Sequence, residues 1–179
     1  MDPREVLYFW FEEATPEQHF KKDVEFDAVM RERFAETHRA ATYGELAAWR
    51  ESPDGRLAEV IVLDQFSRNL FRDSAQAFAC DGMALVLAQE AIRAGVDRGM
   101  PAARRAFLYM PFMHSESRAI HVDAERLFRQ PGLENNYRFE LKHKAIVDRF
   151  GRYPHRNQVL GRPSTPEERA FLVQPGSSF

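Results

Sequence analysis

Apolar residues recur at three- and four-residue intervals along most of the chain, and clusters of Pro, Gly, Ser and Asp separate the periodic runs, a pattern that predicts helices. Asp2-Pro3-Arg4-Glu5 opens the first: Asp caps, Pro suits the first turn, and Glu can reach back as in a capping box. Val6, Leu7, Phe9, Trp10 and Phe11 follow, so this short helix is apolar nearly all round and is expected to dock on several sides. Thr15-Pro16-Glu17-Gln18 repeats the start signal, and Asp23 caps a longer helix to about Ala41, with Phe26, Val29, Met30, Phe34 and Thr37 on one face.

Thr42-Tyr43-Gly44-Glu45 reads as another capping box, opening a short helix through Leu46 and Trp49 that Ser52-Pro53-Asp54-Gly55 ends as a turn. Leu57 to about Phe66 reads as helical although Val60-Ile61-Val62-Leu63 has strand character, because no second such run exists to pair with it. Asp64 to Phe71 leads into a loop, and Ser74 caps a long helix from Ala75 to Ala94, stopped by Gly95, whose alanines would allow close helix approach. Pro101 starts a helix that Pro111 breaks, with a corner at 112–117. Further helices are predicted over 117–128, over 134–149 with Gly151 as stop, over a short stretch from Pro154 to Gly161, and over 165–172, with an irregular tail from Gln174 to Phe179. The sum is about ten helices on short connections and no convincing strand, an all-α array of antiparallel helix hairpins in a single domain, 1–179.

Composition narrows the function classes. A hydrophobic content of 44%, with 15 Phe, supplies a core for one domain. A formal net charge of −2 argues against nucleic acid as a partner. Cys80 is the only cysteine, so no intramolecular disulfide can form, which favours a reducing cytoplasm. The N-terminus lacks the basic and apolar regions of a signal peptide, and no apolar run approaches the roughly 20 residues that span a bilayer, so no membrane association is expected.

The stretch 141–162 is the most informative. It begins as an amphipathic helix, stops at a glycine, and then places Arg152, His155, Arg156 and Asn157 within six residues. Three further polar clusters sit at helix ends beside aromatic residues: Asp64 with Arg68 and Asn69, His114 with Glu116, and Asp148 with Arg149. Two readings compete. In the first, these are buried hydrogen-bond networks that lock helix corners, where truncating one partner would cost roughly 3–5 kcal/mol. In the second, the corners converge on a site: the arginines bind a carboxylate or phosphate in planar, bidentate geometry, His114 or His155 carries a proton, and Asp64 or Glu116 orients it. Metal-ligand spacing is absent: His114 and Glu116 are two apart, as are His121 and Asp123, and His143 has Phe139 and Val147 at the four-residue spacings. There is no dinucleotide glycine fingerprint, phosphate loop or nucleophile elbow, so no cofactor is expected. Cys80 reads as a small buried residue, and His19 and His38 as surface residues. Asp64-x-Phe66-x-Arg68 and Asp148-x-Phe150-x-Arg152 form a weak echo of one another; short matches of this kind arise readily by chance, and duplication is the less favoured alternative.

The segments LeuAspGlnPheSerArgAsn (63–69), TyrMetProPheMetHisSerGlu (109–116), ArgPheGlyArgTyrProHisArgAsn (149–157) and LeuGlyArgProSerThrProGluGlu (160–168) resemble a bacterial family, number nine hundred and twenty-four among domains of unknown function. The resemblance covers nearly the whole chain, and the His-Arg-Asn segment is its most specific part. It implies a tetratricopeptide-like helical fold and no established activity. The family's recurring letters carry over onto Asp64, Gln65, Arg68, Asn69, His114, Glu116, His143, Arg149, Gly151, His155, Arg156 and Asn157, while Ser67 stands in place of an expected proline and Tyr153 in place of phenylalanine. The leading expectation is a cytoplasmic helical module that binds a protein or peptide, with architectural polar corners. The alternative is a small-molecule binder or enzyme that uses Arg68, His114, Arg149, His155 and Arg156 around an anionic ligand.

Overall fold

A computed structural model describes residues 1–178, and among these every regular element is helical. The α-helices are α1 (Pro3–Tyr8), α2 (Val24–Thr42), α3 (Pro53–Ile61), α4 (Ser67–Leu70), α5 (Asp81–Arg93), α6 (Ala102–Met113), α7 (Arg118–Phe128), α8 (Glu134–Phe150) and α9 (Pro166–Leu172). Short 3-10 and π turns join several of them. Of the expected irregular tail, Phe179 lies outside the described residues. Among the described residues no helix is long and apolar enough to cross a membrane.

Helix starts follow local chemistry closely. Asp2 accepts from the Arg4 N–H, Asp23 from Glu25 and Phe26, and Thr165 and Glu168 close a full capping box at the head of α9. Thr15 and Gln18 form the same reciprocal pair, but only a turn follows, and the next helix starts at the Asp23 cap.

Other boundaries differ from the expectation. Thr42 opens no helix: its hydroxyl donates back to the Arg39 carbonyl as the last residue of α2, and the chain then turns at Gly44. The Ser52-Pro53-Asp54-Gly55 stretch is a helix start rather than a turn, since Ser52 Oγ accepts from the Gly55 N–H at 3.0 Å with Pro53 in the first turn. The helix does not then dissolve into a loop at Asp64. It widens into a π turn over Val62–Phe66 and resumes as α4. The long helix expected from Ala75 is instead a 3-10 turn, Ala75–Phe78, followed by α5 from Asp81, whose carboxylate is drawn onto two arginines. Pro111 does not break α6. It lies within the last turn, where the one hydrogen bond it removes is tolerated, and the helix runs to Met113. Of the short helix expected from Pro154 to Gly161, only a 3-10 turn, Pro154–Arg156, forms.

Helix α3 is the hub. Leu57, Ala58, Val60 and Ile61 are fully buried, as are Val62 and Leu63 beyond it, and α3 touches α1, α5 and α6. Ala84, Ala88 and Ala91 on α5 are fully buried, the close approach that the alanine pattern predicts. A smaller apolar group of Ile146, Val147 and Tyr153, with Phe150 and Phe171, seats the last segment on α8. His121 and Glu140, both fully buried, share a 2.7 Å hydrogen bond that ties α7 to α8.

Two further expectations, His38 and His19 as surface residues, are corrected. His38 is buried, its Nε2 2.8 Å from Ser67 Oγ, because α4 packs against the polar side of α2. His19 is half-buried and stacked on Trp10 with 4.4 Å between ring centroids. The two Asp-x-Phe-x-Arg segments are not equivalent places: Asp64 is wholly buried in the π turn, whereas Asp148 is exposed at the end of α8 and pairs with Lys144.

Candidate functional site

A cavity of about 820 Å³ opens between the segment around His19 and Phe20, helices α4, α6 and α8, and the chain from Tyr153 to Val159. Helical periodicity aims the side chains. Helix α6 presents Met110, Met113 and, at its C-cap, His114, and α8 presents Asn135, Asn136, Phe139 and His143. From α4 come Arg68 and Asn69, with Arg72 one turn after Arg68.

The polar lining is built on the π turn. Asp64, fully buried within it, has Oδ1 at 2.7 Å from His114 Nδ1, while its Oδ2 accepts from the Gln65 amide. Burial works against the Asp64 charge, but His114, Arg68 and the Gln65 amide outweigh it and hold this carboxyl at about 2. Burial, followed by Arg68, pushes His114 below the ordinary histidine range, with Asp64 acting in the opposite direction. A neutral ring that donates from Nδ1 to a carboxylate leaves Nε2 as a proton acceptor. His143 Nδ1 likewise lies 2.8 Å from the Phe139 carbonyl oxygen, and burial depresses His143 to about 3 and His155 to about 4.

Two guanidiniums share one carboxylate. Arg68 forks onto Asp81 with both bonds at 3.0 Å and also donates to the Asp64 carbonyl. Arg156 donates to Asp81 at 3.2 Å and to the His114 carbonyl at 3.0 Å. Its guanidinium carbon lies over the rings of Phe78 and Tyr153, 4.5 and 4.6 Å from their centroids. Arg156 is 6% exposed, and its Nε is buried with no hydrogen-bond partner. Burial and the neighbouring Arg68 charge pull its affinity for the proton below the usual arginine range. Around the same cavity Arg72 and Asn69 are both held by Asp27, and Lys22 by Asp73. Lys22, Arg68, Arg72 and Arg156 line the cavity together with Asp73, while Asp27, Asp64 and Asp81 sit behind them.

The ten residues singled out from the sequence fall into two groups and one outlier. Arg68, Asn69, His114, His155 and Arg156 line the cavity, with Asp64 directly behind. Glu116, Arg152 and Asn157 form a separate tie. Glu116 accepts from both Arg162 terminal nitrogens, at 2.6 and 2.8 Å, and from the Tyr153 N–H at 2.7 Å. Arg152 forks onto Glu168 at 2.7 and 2.9 Å, and Asn157 donates to Glu168 and accepts from Arg162. Arg149 stands apart, exposed on the end of α8, paired with Glu167 and lying over Phe150. Among the described residues no three His, Cys, Asp or Glu side chains are placed to hold a metal ion.

Sequence reasoning missed Asp81, Asp27, Arg72 and Phe78. The one signal for Asp81 was an acidic residue at a helix start, which the expectation of a longer helix concealed. Met110, Met113 and Phe139 read as ordinary apolar positions.

A model for a family described as bacterial protein of unknown function (DUF924) matches residues 6–176. A protein of unknown function from Agrobacterium tumefaciens, ATU0120, has a solved structure that superposes with a TM-score of 0.91 at 40% sequence identity, covering 96% of each chain. No curated protein matches.

Proposed function

The chain belongs to the DUF924 family of bacterial proteins of unknown function, and from that premise we propose that its cavity binds a small anionic metabolite through Arg68 and Arg156. The carrying observation is the pair of guanidiniums that share Asp81, one of them buried over two aromatic rings with an unpartnered Nε. A buried cation is tolerated when it is paired and fully hydrogen-bonded. Arg156 is neither in full, and a phosphate or carboxylate beside Arg68 supplies what is missing. The volume suits a small molecule. Asp64 and His114 add a hydrogen-bonded pair with a proton-accepting nitrogen, so the ligand's chemistry can extend to proton transfer. The lone, buried Cys80 supports a cytoplasmic setting.

A protein or peptide partner is the second reading. The exposure of Phe20 at the cavity rim favours it, as does the architectural tie of Glu116, Arg152 and Asn157. Thermal unfolding with inorganic phosphate, pyrophosphate and succinate separates the two. At about 100 times the dissociation constant a ligand adds about 2.7 kcal/mol, a rise of about 5–10 °C in a domain of this size. Arg68→Gln abolishes the rise. An unchanged melting temperature with all three anions discards the small-molecule reading.

A further inference from the structure

The cavity lining is of two chemical kinds. One is polar and includes Arg68, His114 and Arg156. The other is apolar: Met110 and Met113 from α6, Phe139 from α8, and Phe20. Phe20 is 68% exposed and Phe139 43% exposed, although both are large apolar residues on a cavity wall. Met110 and Met113 are held three residues apart on one side of α6, and thioether side chains adapt to flat and branched apolar groups alike. An inorganic anion would fill only a small part of about 820 Å³ and would leave this apolar wall wet.

We infer that the natural ligand is an amphipathic anion: a phosphate or carboxylate head on Arg68 and Arg156, joined to an acyl or aryl tail that lies on Met110, Met113 and Phe139. This rests on the anion-binding reading of the same cavity. The ion pairs select the seat of the head, since Lys22 is held by Asp73 and Arg72 by Asp27, whereas Arg68 and Arg156 share Asp81. The head is the chemistry that carboxylates and phosphomonoesters share, and the tail is what separates this ligand from a free phosphate.

Calorimetric titration of the full chain tests it with acetate, butyrate, hexanoate and octanoate, each below its aggregation threshold. Octyl phosphate, inorganic phosphate and octanol complete the set. Burial of each added methylene tightens binding by roughly fourfold at most, so octanoate is expected to bind at least tenfold more tightly than butyrate. Phe139→Ala, at a partly exposed helical position that tolerates alanine, flattens this dependence and leaves inorganic phosphate binding unchanged. Arg68→Gln weakens every anion of the series alike. The ratio of octyl phosphate to octanoate affinity assigns the head. If butyrate and octanoate bind within twofold of each other, the tail is refuted and the anion site stands. If octanol binds as tightly as octanoate, the anionic head is refuted, and the anion-binding reading falls with it. If nothing binds, both fall.

Discussion

Asp81 touches both Arg68 and Arg156 from the first position of α5, so one carboxylate orients the donors of the polar lining. Its replacement leaves two cations facing each other with less compensation. Asp81→Asn is therefore expected to lose about 3 kcal/mol in urea unfolding, and inorganic phosphate is expected to restore part of that loss by taking the vacated role. A variant as stable as the parent protein would show that Arg156 does not depend on Asp81. The same residue illustrates what a sequence conceals. Arg68, His114 and Arg156 stood out because strongly hydrogen-bonding side chains crowd the ends of apolar periodic runs. Asp81 did not, because its partners lie 13 and 75 positions away. Nor did the letters separate the residues that face the cavity from those of the Glu116–Arg162 tie, since a guanidinium that binds a ligand and one that locks a corner have the same neighbours in sequence.

Single elements were legible where local chemistry alone decides them. Asp2, Asp23 and Thr165 cap helices because their oxygens reach orphan N–H groups two or three residues on, and nothing distant intervenes. Local chemistry was ambiguous at Ser52-Pro53-Asp54-Gly55, which suits a turn and a helix start equally well. There the decision is tertiary. The 3-10 turn Ala47–Glu51 passes so close to the start of α3 that a Cβ on Gly55 would lie 2.0 Å from the Trp49 carbonyl oxygen. Glycine is required at this position for clearance, not for backbone freedom. Gly55→Ala is expected to cost about 3 kcal/mol, read as a lower urea midpoint with an unchanged m-value. A neutral result would mean that α3 can slide away from the Trp49 turn.

Across the whole molecule, protonation and folding are linked through an unusual share of the histidines. Of six, His19, His38, His114, His143 and His155 all have pKa values pulled below the ordinary histidine range, in each case chiefly by burial. A folded-state value below the unfolded one means that the unfolded chain binds more protons. The stability these rings contribute is therefore fully present above about 6.5 and is lost as pH falls toward about 4 for His155 and about 3 for His143. Asp64 and Glu168, each held at about 2, extend the loss below the ordinary carboxylate range. Glu140, raised by burial, works in the opposite sense, one carboxyl against five imidazoles. Urea unfolding between pH 4 and 6 is expected to show stability rising by more than about 1.4 kcal/mol per pH unit, the limit for a single site. His143→Gln reduces the slope. A flat profile over this range would refute the linkage.

The cavity takes its walls from both ends of the chain, from His19 and Lys22 through to Arg156 and Val159. A ribosome delivers those walls in order, so the early helices can gather around α3 while the late segment with Arg156 is still unmade. The proposed ligand would therefore have no purchase on a nascent chain. It would act on the completed fold, where an effect on cellular abundance would come through slower proteolysis and not through assisted synthesis.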